Sequence, residues 1–249
     1  MAEALIIGVP SKGRIHDEVL KWFGGAGIPI TRAPASRGYK AALEGVPGAE
    51  VRLLSASEVA SSLESGALHI GITGLDLLQE RLRDPAQSLG IIARLGFSRA
   101  RVVVAVPDAW IDVDTIEDLR EAAARYHERT RSRLRIATKF RHLTRRFLAA
   151  HGLIDYHIVP SQGATEGAPA AGAAELIVDI TETGSTLAAN NLRVLDDGVI
   201  LESEAVIAGS LAAPWSTDNR QRLQLLLDQA GLQRAGAEFV AAVDEAIKS

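Results

Sequence analysis

The chain has 249 residues, 47% of them hydrophobic and 23% charged, and no cysteine. That is enough to build one large or two modest domains, and it excludes a disordered chain, a disulfide scaffold, a thiolate nucleophile and any cysteine metal site. The 27 Lys and Arg and 31 Asp and Glu leave a formal net charge of −4, but residues 120 to 146 carry ten of the cations against two Glu. Such a segment fits a polyanion, a solvated helix face or a subunit contact. With only Tyr126, Phe140 and Phe147 for stacking and no nucleic-acid motif, we expect no nucleic-acid partner.

In chain order, MAEALIIGVP lacks the basic region and long apolar stretch of a signal peptide or membrane span, and reads as a first strand. VPSKGR then sets Lys12, Gly13 and Arg14 at a strand-to-helix turn. Open α/β sheets bind ligands outside the carboxyl ends of their strands, so these cations suit phosphate, or simply a solvated turn. The spacing is not that of a Walker A loop. VRLLS, from residue 51, predicts a strand, and Ser55 with Glu58 has capping-box spacing ahead of the helix EVASSLESGA.

HIGITGLDLL follows at residues 69 to 78. Gly71 permits close approach of another segment, and Asp76 falls at a helix start, where capping and ligand binding are both compatible with it. ARVVVAVP, from residue 100, predicts a strand. Asp114 with Glu117 has capping-box spacing before EDLREAAARY. RLRIATK predicts a strand ending at Thr138 and Lys139, LTRRFLAAHG a helix closed by Gly152, and YHIVPS another strand. SQGATEGAP is a glycine-rich turn carrying Glu166.

ELIVDITETGSTLAANNL, residues 175 to 192, starts as an apolar run suited to a strand covered on both faces, interrupted near its end by Asp179. Thr183, Gly184, Ser185, Thr186 and Leu187 then turn the chain into a short helix. Backbone N–H groups at such a start, with hydroxyls beside them, suit a phosphate, while acidic neighbours suit sugar hydroxyls. A capped turn without a ligand is the alternative. Residues 217 to 230 and 236 to 248 have the spacing of amphipathic helices that cover either the body of the protein or a partner.

Strands alternating with helices predict α/β layers with largely parallel sheets. No Pro/Gly/Ser-rich linker, repeat or low-complexity tract divides the chain. The six histidines show no metal-ligand spacing, and no G-x-S-x-G supports a serine nucleophile.

Taken in order, PSKGR, GITGLDLL, LGFSRARVVVAVP, RIATKF with LTRRF, GATEGAP and VDITETGSTLAANNL resemble the ATP phosphoribosyltransferase family over roughly residues 5 to 210. The resemblance implies a two-domain fold like that of type II periplasmic binding proteins, with a cleft between domains. Residues 1–94 with 187–211 would form the first domain, 95–186 the second, and 212–249 a C-terminal helical extension. It implies transfer of phosphoribose from phosphoribosyl pyrophosphate to N1 of the ATP adenine, with magnesium held mainly through substrate phosphates. By position, Thr183 to Leu187 would form the 5′-phosphate loop and Asp179 would sit near the ribose hydroxyls. Lys12 and Arg14 would meet phosphates of ATP or of the departing pyrophosphate. Asp76 and Glu166 would lie near the nucleotide or sugar, and Thr138 and Lys139 would be substrate-binding.

His69 departs from the family's usual acidic residue, Ser98 and Ala100 vary a glycine/cysteine pattern, and GATEGAP is a loose version of its motif. The chain resembles the short form of the family, which implies a cytoplasmic catalytic subunit, a homodimer within a hetero-octamer. Its partner would be a regulatory subunit similar to histidyl-tRNA synthetase, with the C-terminal helices as candidate contacts. Two other classes use similar features. A ligand-binding module shares the two-domain fold, and a free-base phosphoribosyltransferase shares the phosphate-loop logic, although its pair of adjacent acidic residues before the loop is missing here.

Overall fold

A computed structural model describes residues 4–32, 39–81 and 89–248; the first three residues of the N-terminal reading lie outside it. The chain divides into two compact units, Met1–Ser98 with Glu204–Ser249, and Arg99–Ser203.

The first unit is built on a seven-stranded sheet in the order β2-β3-β4-β1-β5-β12-β6. Its strands are β1 (Leu5–Pro10), β2 (Ile30–Arg32), β3 (Lys40–Leu43), β4 (Ala49–Leu54), β5 (Ile70–Gly74), β6 (Leu89–Arg94) and β12 (Ala205–Ser210). Three helices follow strands in it: α1 (Arg14–Gly25), α2 (Ala56–Glu64) and α3 (Leu75–Arg81). The capping box at α2 is present in both directions, Ser55 accepting from the Glu58 N–H and Glu58 from the Ser55 N–H. Gly71 is where α2 packs closest. A Cβ there would lie 2.6 Å from Val59 Cγ1 and 3.1 Å from Leu63 Cδ1, so only glycine leaves room for the helix.

The second unit is a five-stranded sheet in the order β11-β7-β10-β8-β9. Its strands are β7 (Ala100–Pro107), β8 (Leu134–Thr138), β9 (Tyr156–Pro160), β10 (Leu176–Thr181) and β11 (Leu192–Ser203). Helices α4 (Ile116–Thr130) and α5 (Arg141–Ala150) and the short α6 (Ser185–Ala189) accompany them. The continuous apolar runs have a simple cause. Val102, Val104, Val106, Leu176 and Val178 pack with Ile116, Leu119 and Leu143 of α4 and α5, while Val103, Ala105 and Ile177 pack with Leu187 and Leu192. Both faces of the sheet are covered, so the alternation expected of a half-exposed strand disappears.

Three expectations are corrected. The sheets are mixed rather than largely parallel. β1 runs parallel to β4 and β5, and β8 to β9 and β10, but β7 is antiparallel to β10 and β11, and β12 to β5 and β6. β12 follows β11 after a single residue but lies in the other sheet, so its direction is set by how the chain re-enters the first unit and not by a crossover within one sheet. Residues 187–203 belong to the second unit, because β11 pairs with β7 along most of its length. The box before α4 lies one residue later than the spacing predicted, on Thr115 and Asp118, and Asp114 instead pairs with Arg193 at 2.9 Å.

The C-terminal helices α7 (Thr217–Gln229) and α8 (Gln233–Lys248) form no separate extension. Leu223, Leu226, Leu227, Phe239 and Val243 are buried in the core of the first unit, so that face is not available to a partner. His69 joins them to the sheet. Its buried ring accepts the Ile6 N–H at Nδ1 (3.0 Å), places Nε2 3.3 Å from the Pro214 carbonyl, and meets Trp215 edge-on with centroids 4.9 Å apart. A neutral imidazole both accepts and donates here, which a carboxylate at the same position does not do. Among the described residues no helix is long and apolar enough to cross a membrane.

A partly buried fork holds β8 to the start of β10. Glu175 accepts from the Arg135 backbone N–H (2.6 Å) and from its guanidinium (2.6 Å), and from the Tyr126 hydroxyl (3.4 Å). Burial pushes its carboxyl up, but these hydrogen bonds and the Arg135 charge outweigh that and hold it below its ordinary value. A depressed acid stabilises the fold above the unfolded value of 4.5 and loses that contribution as pH falls through the folded value. Glu175→Gln is therefore expected to cost about 1 kcal/mol at pH 7, allowing for the half-exposed arginine. In urea melts the difference from wild type should close as pH drops below that window; a difference that persists in acid contradicts the assignment.

Candidate active site

Period-two geometry places Ile177, Asp179 and Thr181 of β10 on the sheet face that Leu187 of α6 covers. The strand therefore ends with one carboxylate and one hydroxyl beside the turn into α6. That turn is sharp. Gly184 has φ 81 and its Cβ position meets nothing within 4 Å. Thr181 Oγ1 accepts the Gly184 N–H at 2.8 Å, and Thr183 Oγ1 donates to Ser185 Oγ at 2.9 Å while accepting the Ser185 N–H at 3.3 Å.

Around this turn lies a cavity of about 390 Å³. Asp179, Thr183, Ser185, Thr186, Leu187, Glu166 and Lys139 of the expected site all line it, although they come from three separate stretches of sequence. Lys139 arrives from the end of β8, which is parallel to β10, and Glu166 from a single 3₁₀ turn, Thr165–Gly167, anchored by buried Thr165 against Ser161 (2.9 Å). Ile180, Thr181 and Glu182 also line the cavity and were not singled out from the sequence. The signal for Thr181 was available, since it shares the odd-numbered face with Asp179.

The expected residues contribute unequally. Leu187 is 3% exposed and fills the core, so only its backbone can face a ligand. Thr138 is fully buried and its hydroxyl accepts the Phe140 N–H at 2.9 Å, which sets the bend that delivers Lys139. In the first unit, Lys12 and Arg14 are exposed at the start of α1, where Gly13 adopts φ 87, and Asp76 is nearly buried in the first turn of α3.

The lining carries the carboxylates of Asp179, Glu166 and Glu182, the ammonium of Lys139, 3.7 Å from Asp179, and the hydroxyls of Thr181, Thr183, Ser185 and Thr186. Burial raises the Asp179 carboxyl above its ordinary value, and nearby Glu166 adds to this; the Ile180 N–H (2.8 Å) and Lys139 offset it only in part. A destabilised carboxylate beside open space gains most from a ligand that donates hydrogen bonds, such as a sugar diol. Among the described residues no group of three His, Asp or Glu is arranged to hold a metal ion. The carboxylates present are oxygen donors of the kind magnesium takes when substrate and water supply the rest of its shell.

The chain matches the family model described as ATP phosphoribosyltransferase over residues 55–230. It is 51% identical over 227 residues to ATP phosphoribosyltransferase of Caulobacter vibrioides, an alignment covering 91% of this chain and 71% of that one. To the enzyme of Bradyrhizobium sp. strain ORS 278 it is 49% identical, over 92% of this chain and 70% of that one. Among solved structures it resembles the ATP phosphoribosyl transferase (HisG:HisZ) complex from Thermotoga maritima, with TM-score 0.68 and 27% identity over 94% of this chain and 98% of that chain. A mutant arginine-binding protein from the same organism aligns with TM-score 0.51 at 12% identity, a likeness of fold alone.

Proposed function

The chain belongs to the ATP phosphoribosyltransferase family, and from that premise we propose how its own residues divide the work. The reaction transfers phosphoribose from phosphoribosyl pyrophosphate to N1 of the ATP adenine, releases pyrophosphate and opens histidine biosynthesis. The observation that carries the proposal is the cavity in which strand-end Asp179 and the Thr183–Leu187 loop stand side by side.

The loop anchors the 5′-phosphate through the Ser185 and Thr186 hydroxyls and the backbone N–H groups that open α6, none of which demands a cationic side chain. Asp179 accepts hydrogen bonds from the ribose hydroxyls and fixes the ring. With the sugar held at both ends, C1 is presented to N1 of the adenine. The C1–N1 bond forms as the C1–O bond to pyrophosphate breaks, and the electron pair leaves on the pyrophosphate oxygen. Such a displacement has oxocarbenium character, so alignment and charge placement matter more than a covalent nucleophile. Glu166 borders the sugar, and Asp76 the nucleotide or sugar. Lys12 and Arg14 meet phosphates of ATP or of the departing pyrophosphate, and Lys139 holds Asp179 in place. A magnesium ion bound mainly through the substrates' phosphates would supply charge neutralisation at the departing pyrophosphate.

We place the chain in the cytoplasm as the catalytic subunit of the short form, a homodimer within a hetero-octamer, working with a regulatory subunit similar to histidyl-tRNA synthetase. The two-protein description of the Thermotoga complex supports such a partner. The test is formation of phosphoribosyl-ATP from ATP and phosphoribosyl pyrophosphate by the purified chain, with and without that partner. Product in the presence of the partner is expected. Absence of product in both arms contradicts the proposal, and histidine-inhibited turnover by the chain alone contradicts the need for a regulatory subunit.

A further inference from the structure

We infer that Thr181 is a positioning residue for the 5′-phosphate, acting through the Gly184 N–H rather than through the ligand. The inference rests on the reading that residues 183 to 187 hold the phosphate. It divides the loop hydroxyls into those that shape the loop and those left to bind.

Thr181 is the last residue of β10 and is 8% exposed. Its hydroxyl accepts the Gly184 N–H at 2.8 Å, across a turn in which Gly184 adopts the left-handed φ of 81. Gly184 has the widest conformational choice of any residue in the turn, because it carries no Cβ and its Cβ position is unobstructed. A bond from a rigid strand end to that amide removes the choice. Thr is well suited to the task, since its branched Cβ restricts the side chain to few rotamers and the strand backbone fixes where the oxygen points. The same bond takes the Gly184 N–H out of the set available to an anion. What remains at the start of α6 is the N–H groups of Thr186 and Leu187, which donate to no acceptor among the described residues.

A second internal bond assigns the next pair. Thr183 Oγ1 donates to Ser185 Oγ, which occupies a lone pair of Ser185 and leaves the Ser185 proton to point away from Thr183. Hydrogen bonds in such a chain polarise one another, so the outward Ser185 hydroxyl is a stronger donor than an isolated serine. Thr181 and Thr183 therefore hold the loop, and Ser185 and Thr186 meet the phosphate.

The test is calorimetric titration of the full chain with phosphoribosyl pyrophosphate and magnesium, and separately with ATP. Thr181→Val keeps the shape and removes the acceptor. It is expected to weaken phosphoribosyl pyrophosphate about tenfold, the effect of one lost hydrogen bond on an ordered anion site, and to leave ATP affinity unchanged. Thr181→Ser is expected to restore wild-type affinity. Amide hydrogen exchange gives a readout that does not depend on the valine variant folding, because the Gly184 amide of the wild-type chain must be protected in the free state. Wild-type affinity in Thr181→Val, failure of Thr181→Ser to restore binding, or an unprotected Gly184 amide each overturns the inference. If a bulky residue at Gly184 leaves binding of phosphoribosyl pyrophosphate intact, the phosphate-loop reading itself falls. If that variant fails to bind while Thr181→Val binds normally, only the role of Thr181 falls.

Discussion

Asp179→Asn is expected to lower turnover about 10- to 100-fold while raising the melting temperature at neutral pH. The loss follows from replacing charge-assisted hydrogen bonds to the ribose hydroxyls with neutral ones, each worth on the order of 1.5–3 kcal/mol against about 1. The gain follows from the environment of the carboxylate. Burial raises the Asp179 carboxyl in the folded state, and Lys139, the one cation set against it among the described residues, stands 3.7 Å away with its own side chain 47% exposed. A raised acid favours the fold below its unfolded value of 3.8 and loses that contribution as pH rises through the folded value, so ionised Asp179 destabilises the free protein at pH 7. Asparagine removes the charge and keeps an acceptor for the Ile180 N–H, now 2.8 Å from Oδ1. The melting difference should shrink as pH falls towards 3.8. Thermal melts across pH beside turnover at pH 7 check both halves. A variant that loses stability and activity together would make Asp179 a structural residue.

Gly184→Trp is expected to abolish saturable binding of phosphoribosyl pyrophosphate, weakening it by more than about 100-fold, while ATP affinity and the circular dichroism spectrum stay near wild type. The backbone at φ 81 strains any residue with a Cβ, at a cost on the order of 1–2 kcal/mol. The bulk of the indole then prevents a phosphate from reaching the first turn of α6. Losing two charge-assisted hydrogen bonds alone accounts for roughly 3 kcal/mol or more, which is over two decades in affinity. Retained binding in a folded variant would move the sugar phosphate to another part of the chain.

Much of this arrangement was legible in the sequence because its parts are local. The strand run 176–178, the interruption at Asp179 and the glycine turn are consecutive, and consecutive residues on a strand alternate between faces whatever surrounds them. The Ser55–Glu58 cap was legible for the same reason. What the sequence left open is non-local. Nothing near Leu192 states that β11 joins β7, since a strand of that composition pairs as readily in either sheet. The antiparallel pairing of β12 depends on the chain crossing between units at residues 203 and 204, not on the residues of the strand. The apolar face of α7 and α8 was visible, but not what it covers. Asp114 and Thr115 both make good caps, and the choice fell to Thr115 because Arg193, far along the chain, holds Asp114. A place at a strand end does not show what Thr138 faces, because local turn geometry engages its hydroxyl with the Phe140 N–H.

The placement of the sugar phosphate is tested most directly by amide chemical-shift mapping of the ¹⁵N-labelled chain titrated with phosphoribosyl pyrophosphate and magnesium. The largest shifts are expected at Thr181 to Leu187, with Lys139 and Asp179 next, saturating together with a single affinity. Shifts that saturate elsewhere and leave Gly184, Ser185 and Thr186 unmoved would contradict the account.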